Sequence, residues 1–208
     1  MRAAVMASGR GSNFDALQKA ASGPGSPFSI AVVLCDRAQA PVLERARGLG
    51  IPAVRIDPGT RRGAWAPAGV RALEEALHEH RVDAVCLAGF MRILPAAIVQ
   101  AFAGRILNVH PSLLPAFPGL RPHRQALRAG VRVSGCTVHL VDEGVDTGPI
   151  LLQAAVPVLE GDTEDSLAAR VLEQEHRIYP EAVRALAEGR VRIQGRRVHL
   201  SAPTVTGT

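Results

Sequence analysis

Short apolar runs alternate with helical patterns along the first half of the chain, and this alternation limits the fold more than any other feature. Apolar runs of strand length that alternate with segments of helical periodicity are typical of a parallel sheet with crossover helices. We therefore predict an α/β fold, a doubly wound and mostly parallel sheet with helices on both faces. The predicted strands are 2–7, 29–34, 53–56, 84–87 and 106–109, and the predicted helices are 13–21, 41–49, 70–80 and 95–102.

The pattern changes beyond the proline-rich stretch 111–122, after which a short helix is expected through Ala129. Two apolar segments, 134–141 and 150–158, are separated by a polar stretch of turn-forming residues. Such residues favour a tight connection, so these segments predict a pair of strands.

The last part of the chain predicts a long helix and a hairpin. Thr163 is followed by two acidic residues, which is typical of a helix start because the acids face the positive end of the helix dipole. The helical pattern runs to about Leu186, and Pro180 is expected to kink or break it. Residues 191–200, with Gln194-Gly195 at the centre, predict a terminal hairpin.

The composition is that of an ordinary globular protein. Of the 208 residues, 47% are hydrophobic and 21% are charged, which argues against disorder, collagen and coiled coil. We expect residues 1–200 to form a single domain and residues 201–208 to be a flexible tail. The apolar runs are shorter than the roughly 18 residues of a membrane span, and no signal-peptide pattern opens the chain. We therefore expect a cytoplasmic protein that does not enter a membrane.

The formal net charge is +5, and Lys19 is the only lysine among 24 basic residues. Arginine binds phosphate and carboxylate through its planar fork, so an anionic substrate fits this composition. Nucleotide bias in the genome would produce the same arginine content. Nucleic acid is not an expected partner, because aromatic residues that stack on bases make up only 3% of the chain.

Three cysteines, Cys35, Cys86 and Cys136, lie inside or beside apolar runs and show no CxxC spacing. This pattern favours reduced, packed thiols over a disulfide framework or a metal site. No other motif in the sequence indicates a metal.

A glycine-rich turn, Ser8-Gly9-Arg10-Gly11-Ser12-Asn13, joins the first predicted strand to the first predicted helix. Backbone N–H groups at such a helix start can bind phosphate. The spacing matches neither the dinucleotide fingerprint nor the P-loop, so these two ligand classes are disfavoured. From the residues alone, an anion site and a plain tight turn both remain open.

A second polar segment begins with Asn108-Val109-His110-Pro111 at the carboxyl end of a predicted parallel strand, where open α/β sheets bind ligands. Asn108 and His110 project to the same side of a strand because the side-chain period is two. An amide donor and an imidazole suit an oxyanion formed in acyl transfer. A hydrogen-bonded histidine that merely ends a strand is the alternative. His139 alternates with apolar neighbours on a later strand, and we interpret it as structural.

Six segments in order resemble the phosphoribosylglycinamide formyltransferase family, which is folate-dependent and acts in purine synthesis. The resemblance extends over nearly the whole chain and implies the formyltransferase fold. The segments are 8–13 (SGRGSN), 87–94 (LAGFMRIL), 108–120 (NVHPSLLPAFPGL), 123–127 (HRQAL), 142–148 (DEGVDTG) and 174–180 (QEHRIYP).

The resemblance implies that Asn108, His110 and Asp146 are catalytic. His110 is then the general acid and oxyanion partner, Asn108 the amide donor, and Asp146 the carboxylate that orders the histidine and raises its pKa. The implied reaction moves the formyl group of 10-formyltetrahydrofolate to the amine of glycinamide ribonucleotide, with the folate as cosubstrate and without a metal.

The resemblance also implies two binding sites. Gly11, Ser12 and Asn13 match the loop that holds the ribonucleotide phosphate, and Glu175 matches a residue that grips the ribose. An arginine that meets the folate tail is carried over to Arg62, although Arg61 leaves its register open. The whole folate-binding set is Arg62, Met91, Arg92, Ile93, Leu94, Asn108, Asp142, Glu143, Gly144, Val145 and Asp146.

Three alternatives stay beside this interpretation. A formyltetrahydrofolate deformylase is expected to carry an added N-terminal regulatory domain, whereas Met1 opens directly onto the first predicted strand. A methionyl-tRNA formyltransferase is expected to carry a further C-terminal RNA-binding domain. A non-catalytic phosphometabolite-binding protein on the same scaffold would use Gly11–Asn13 for binding alone. Either a monomer or a homodimer is compatible with the sequence.

Overall fold

The structure is a computed structural model that describes residues 1–59 and 65–202. Its strands are β1 Arg2–Met6, β2 Ser29–Cys35, β3 Ala53–Arg55, β4 Ala84–Leu87, β5 Ile106–His110, β6 Val133–Leu140, β7 Ile150–Pro157, β8 Val191–Gln194 and β9 Arg197–Leu200. Its helices are α1 Ser12–Ala21, α2 Pro41–Gly48, α3 Pro67–Glu79, α4 Ala96–Ala101, α5 Pro122–Ala129 and α6 Glu164–Ala187.

A seven-stranded sheet with the order β3-β2-β1-β4-β5-β6-β7 forms the centre of the molecule. The pairs from β3 to β5 are parallel, and β6 and β7 add to the edge in antiparallel direction. The order reverses direction at β1, as expected when a chain winds outward from the middle of a sheet in both directions. The predicted fold class is confirmed.

The parallel strands separate two apolar cores. Along β1, Val5 belongs to the first core and Met6 to the second, because successive side chains point to opposite faces. The first core takes helix residues from α1, α2, α5 and α6, whereas the second takes them from α3 and α4. Helices therefore cover both faces, as predicted.

The second face carries polar side chains where the sheet becomes antiparallel. Ile106 belongs to the second core, so Asn108 and His110 on the same strand project to that face as well. On β6, Val138 and Leu140 belong to the first core, so His139 between them projects to the second face. The strands alone thus bring an amide and two imidazoles to one side of the sheet.

Helix α6 is continuous through Pro180, so of the two predicted effects the break is wrong, while the kink stays a prediction. Residues on both sides of Pro180, among them Tyr179 and Ala182, are buried in the first core. The Tyr179 hydroxyl also lies 2.9 Å and 3.1 Å from the carbonyl oxygens of Leu87 and Leu107. Burial against the sheet holds the helix together although proline lacks the amide hydrogen of an ordinary helical residue.

The predicted terminal hairpin is confirmed as β8 and β9, and the predicted tail lies outside the described residues from 203 onward. Within residues 1–59 and 65–202, none of the helices is both long and apolar enough to cross a membrane.

Candidate active site

The register of the sheet aligns the segments that the sequence singled out. Asn108 pairs with Leu87 on one side and with His139 on the other, and Leu87 pairs in turn with Met6. The glycine-rich turn follows β1 and the segment 89–94 follows β4, so both begin at neighbouring carboxyl ends. This is the edge at which open α/β sheets bind their ligands.

Asp146 completes a cluster with the two predicted catalytic residues of β5. Its Oδ2 lies 3.3 Å from His110 Nδ1, and its Oδ1 accepts from Asn108 Nδ2 at 3.4 Å. The backbone N–H of Gly119 donates to Oδ2 at 2.8 Å. Asp146 lies in the loop between β6 and β7, and its backbone is left-handed, with φ of 56°. The structure therefore brings Asn108, His110 and Asp146 together.

His110 has an acceptor at each ring nitrogen. Nε2 lies 2.9 Å from the carbonyl oxygen of Phe117, and a carbonyl can only accept, so this nitrogen carries a proton. Nδ1 faces the Asp146 carboxylate. Two acceptors favour the imidazolium form, but burial lowers the pKa of His110 below its ordinary value and outweighs the raising effects of the Phe117 carbonyl and Asp146. The expected net rise of the His110 pKa is therefore wrong, although Asp146 does act in the expected direction.

Asp146 itself is held in its ionised form. Burial alone would raise the pKa of this carboxyl, but the contacts with His139 and Gly119 and the charge of His110 lower it below its usual range. A carboxylate therefore stands beside His110 at neutral pH.

His139 is a member of the cluster that the sequence interpretation assigned to structure alone. Its Nδ1 donates to the carbonyl oxygen of Leu140 at 2.9 Å, which leaves Nε2 free to accept from Asn108 Nδ2 at 3.1 Å. Nε2 also lies 3.5 Å from Asp146 Oδ1, and it can donate to this carboxylate only in the imidazolium form of His139. His139 thus fixes the orientation of the Asn108 amide. The contact arises because His139 pairs with Asn108 across β5 and β6, and this register could not be predicted from the sequence.

The glycine-rich turn requires glycine at Gly11. This residue caps the N-terminus of α1 with φ of 87°, a left-handed conformation that L side chains disfavour. A Cβ atom at this position would lie only 2.6 Å from Cγ2 of Val42. The backbone of the turn therefore approaches α2 closely, and the first amides of α1 remain directed out of the helix end.

Asn13 and Glu175 form a buried polar pair behind this turn. Asn13 Nδ2 donates to Glu175 Oε2 at 2.7 Å, and both residues are more than nine-tenths buried. Burial raises the pKa of the Glu175 carboxyl, and the Asn13 hydrogen bond offsets only part of this effect. The amide oxygen of Asn13, Oδ1, is buried and has no partner among the described residues. Two residues that lie 162 positions apart thus meet at the helix start, and their predicted roles, Asn13 at the phosphate and Glu175 at the ribose, stay predictions.

The predicted folate-binding segments expose large apolar side chains. Met91 and Ile93 are 59% and 62% exposed, and Val145 is 52% exposed. Leu94 is instead buried in the second core, where Val141 also packs at the start of the other segment. Both segments therefore lie next to the second core, and each exposes large apolar side chains.

The polar members of the predicted folate set are largely held by the protein itself. Asp142 accepts from the N–H of Gly144 at 3.1 Å and from the Thr147 hydroxyl at 2.6 Å, which shapes the loop after β6. Glu143 lies 3.4 Å from the Gln100 amide of α4. Arg92 forms an ion pair with a residue outside the predicted site, whereas Arg61 and Arg62 lie outside the described residues.

The three cysteines are free and buried, as predicted. Burial raises the pKa values of Cys86 and Cys136 to about 12. Across residues 1–59 and 65–202, no group of three or more His, Cys, Asp or Glu side chains is placed to hold a metal ion.

Comparisons with known proteins identify the family of the chain. Residues 1–183 match the family described as formyl transferase. The phosphoribosylglycinamide formyltransferase of Bacillus subtilis (strain 168) is 44% identical over 183 residues, which cover 88% of this chain and 93% of that protein. The crystal structure of glycinamide ribonucleotide transformylase 1 from Symbiobacterium toebii has a TM-score of 0.91 and 53% identity, and the match covers 96% of this chain and 93% of that one.

A formyltetrahydrofolate deformylase from Pseudomonas syringae pv. tomato str. DC3000 shares the fold at lower identity. Its TM-score is 0.88 with 27% identity, and the match covers 96% of this chain but only 65% of that one. The resemblance inferred from the six sequence segments is confirmed. The chain belongs to the formyl transferase family.

Proposed function

We propose that this protein transfers the formyl group of 10-formyltetrahydrofolate to the amine of glycinamide ribonucleotide in the cytoplasm, as a step of purine synthesis. The observation that carries the proposal is the cluster of Asn108, His110 and Asp146, with Asp146 Oδ2 3.3 Å from His110 Nδ1. An amide donor, an imidazole and an ionised carboxylate on one sheet face supply the groups that acyl transfer to an amine needs.

The amine nitrogen attacks the formyl carbon, and the carbonyl π electrons move to oxygen to give a tetrahedral oxyanion. We assign Asn108 and His110 to this oxyanion as donors, which requires each of them to exchange one hydrogen-bond partner of the free protein for the oxyanion. Collapse of the intermediate breaks the bond between the formyl carbon and N10 of the folate. The proton of the attacking nitrogen ends on N10, and we assign Asp146, through a water molecule, to its transfer. No bond between substrate and enzyme forms.

The electrostatics of His110 suit a group that becomes protonated as the oxyanion develops. Burial lowers its pKa in the free protein, while Asp146 and the Phe117 carbonyl act in the other direction. A developing oxyanion adds a third interaction that favours the imidazolium. The anionic intermediate is therefore stabilised more than the neutral formyl group, which is the requirement for catalysis.

The acceptor site is assigned to Gly11, Ser12, Asn13 and Glu175. The helix start offers backbone N–H groups and the positive end of the α1 dipole to a phosphate. Glu175 is buried beside it with one carboxylate oxygen bound to Asn13, and its other oxygen is assigned to a ribose hydroxyl. A phosphorylated sugar therefore fits this end of the site, and a nucleic acid is not proposed.

The donor site is assigned to the apolar surface of Met91, Ile93 and Val145, which suits the ring system of a folate. Arg62 is kept as the proposed partner of the glutamate tail. We propose the folate as cosubstrate, with no metal in the reaction. The lower identity to the deformylase, 27% against 53% for the transformylase structure, favours transfer over hydrolysis.

The proposal is tested by the dependence of donor consumption on the acceptor. Purified protein is mixed with 10-formyltetrahydrofolate, and tetrahydrofolate formation is followed with and without glycinamide ribonucleotide. We expect formation only with the ribonucleotide, and its loss in His110→Ala. Equal donor consumption without the ribonucleotide, with release of formate, would establish a deformylase instead. Ribonucleotide binding without any turnover would establish a non-catalytic binding protein.

A further inference from the structure

The segment 89–94, here called the donor segment, is held by side chains from three other parts of the chain. The Ser8 hydroxyl accepts from the N–H of Met91 at 3.0 Å. The indole N–H of Trp65 donates to the carbonyl oxygen of Ile93 at 2.8 Å. Arg92, between these two residues, donates through Nε to Asp36 Oδ2 at 2.9 Å. The two exposed apolar residues of the proposed donor site are thus fixed from both sides.

The pair of Asp36 and Arg92 is the charged member of these contacts, and it is well shielded from water. The Asp36 side chain is 4% exposed and the Arg92 side chain 22% exposed. Asp36 directly follows β2, whereas Arg92 follows β4, and β1 lies between these strands. The ion pair therefore spans the carboxyl end of β1 and ties the donor segment to a distant part of the sheet.

This pairing changes what Arg92 can do. A guanidinium neutralised by a buried carboxylate offers little free charge to an incoming anion, and separating such a pair is costly. Arg92 is therefore poorly placed to bind the glutamate tail of a folate and well placed to hold its own backbone.

We propose that Asp36 is a positioning residue for donor binding, and that it acts through Arg92 to preorganise Met91 and Ile93. The inference rests on the proposed function, because it names the donor site that the formyl-transfer reaction uses. A binding segment that is already ordered in the free protein gives higher affinity, because less conformational entropy is lost when the ligand binds. Loss of Asp36 should then weaken binding of the formyl donor, without changing binding of the ribonucleotide acceptor or the rate of the chemical step.

The kinetic test compares Asp36→Asn and Arg92→Met with wild type on two donors, 10-formyltetrahydrofolate and 10-formyltetrahydropteroate, which lacks the glutamate. We expect KM for both donors to rise about tenfold or more, with kcat and the ribonucleotide KM within about threefold of wild type. Arg92→Lys should restore part of the donor affinity because it keeps the charge. A loss confined to the donor that carries the glutamate would overturn the proposal, since it would make Arg92 a ligand of the tail.

Asp162→Asn is a matched control variant. Asp162 pairs with Arg170 at the start of α6, and the side chains are 4% and 24% exposed, nearly as in the pair of Asp36 and Arg92. This variant removes a comparable ion pair far from the donor segment. Its donor KM should equal that of wild type, whereas a rise equal to that of Asp36→Asn would mean that general loss of stability explains both.

A second measurement does not depend on activity. Trp65 is the only tryptophan of the chain, and its indole contacts the donor segment directly. We expect Asp36→Asn to increase quenching of Trp65 fluorescence by acrylamide, and Asp162→Asn to leave it unchanged. Unchanged quenching and unchanged donor KM in Asp36→Asn would refute the positioning role. A wild-type protein without transfer activity would refute the proposed function, while the fluorescence comparison would still decide whether Asp36 orders the segment.

Discussion

Asp146→Asn tests the electrostatic part of the site, because it removes one charge and keeps the shape of the side chain. The Asp146 carboxylate lies 3.3 Å from His110 Nδ1, and its side chain is 11% exposed. At an effective dielectric constant of about 20, opposite unit charges at this separation attract by about 5 kcal/mol. The amide keeps one acceptor oxygen, so part of this interaction survives. We expect kcat to fall by about 10²–10⁴-fold, the usual range for positioned acid–base catalysis.

The pH profile should change in a defined direction. Activity that needs the imidazolium of His110 is lost as the pH rises through its pKa, and Asp146 contributes a raising effect to that pKa. Asp146→Asn should therefore move the basic limb to lower pH and abolish the acidic limb that the Asp146 carboxyl causes. Since the folded-state pKa of Asp146 is lowered, its contribution to stability is present above its ordinary pKa and is lost as the pH falls through the lowered value.

Single-turnover mixing of excess enzyme with both substrates measures the chemical step without product release. A rate in Asp146→Asn within about threefold of wild type would refute the assigned role. His110→Ala should be at least as damaging, and the double variant should lose less than the product of the two single losses, because residues that act as a unit are not additive. A loss equal to that product would mean that the two side chains act independently.

Three further variants test other parts of the structure. Glu175→Gln should raise the ribonucleotide KM by about 10- to 100-fold, the value of a hydrogen bond to a charged group. Because the folded-state pKa of Glu175 is raised, thermal unfolding should show this variant stabilised at high pH, where wild type buries a carboxylate, and little changed in acid. Gly11→Ala should lower the free energy of urea unfolding by at least about 1–2 kcal/mol through left-handed strain, and adding Val42→Ala should relieve the contact but not this strain. Tyr179→Phe should cost about 1–3 kcal/mol in the same assay and leave both KM values unchanged.

The parallel half of the fold could be predicted because each element carries its own periodic signal. The predicted strand 84–87 coincides with β4, and the predicted end of the first helix coincides with that of α1. Pro180 misled the prediction because local propensity does not include the burial of α6 against the sheet. Tertiary packing supplies that stability, and no window of sequence contains it.

The candidate site was only partly predictable from the residues. Asn108 and His110 share a face by strand periodicity alone, whereas Asp146 reaches them through a loop whose path no local pattern encodes. His139 joins them through the register of β5 and β6, which depends on the pairing of distant segments. The lowered pKa of His110 depends on a balance between burial and two acceptors. Identifying the neighbouring carboxylate in the sequence was therefore not enough to predict the direction of the pKa shift.

The fate of the formyl carbon tests the central claim most directly. A donor labelled with ¹³C in the formyl group is mixed with excess enzyme and glycinamide ribonucleotide for one turnover, and the products are separated and examined by NMR. Transfer at the Asn108, His110 and Asp146 cluster predicts that the label appears in the formylated ribonucleotide in step with donor loss, and that His110→Ala suppresses both together. Label that appears in formate at the same rate with or without the ribonucleotide would contradict the account.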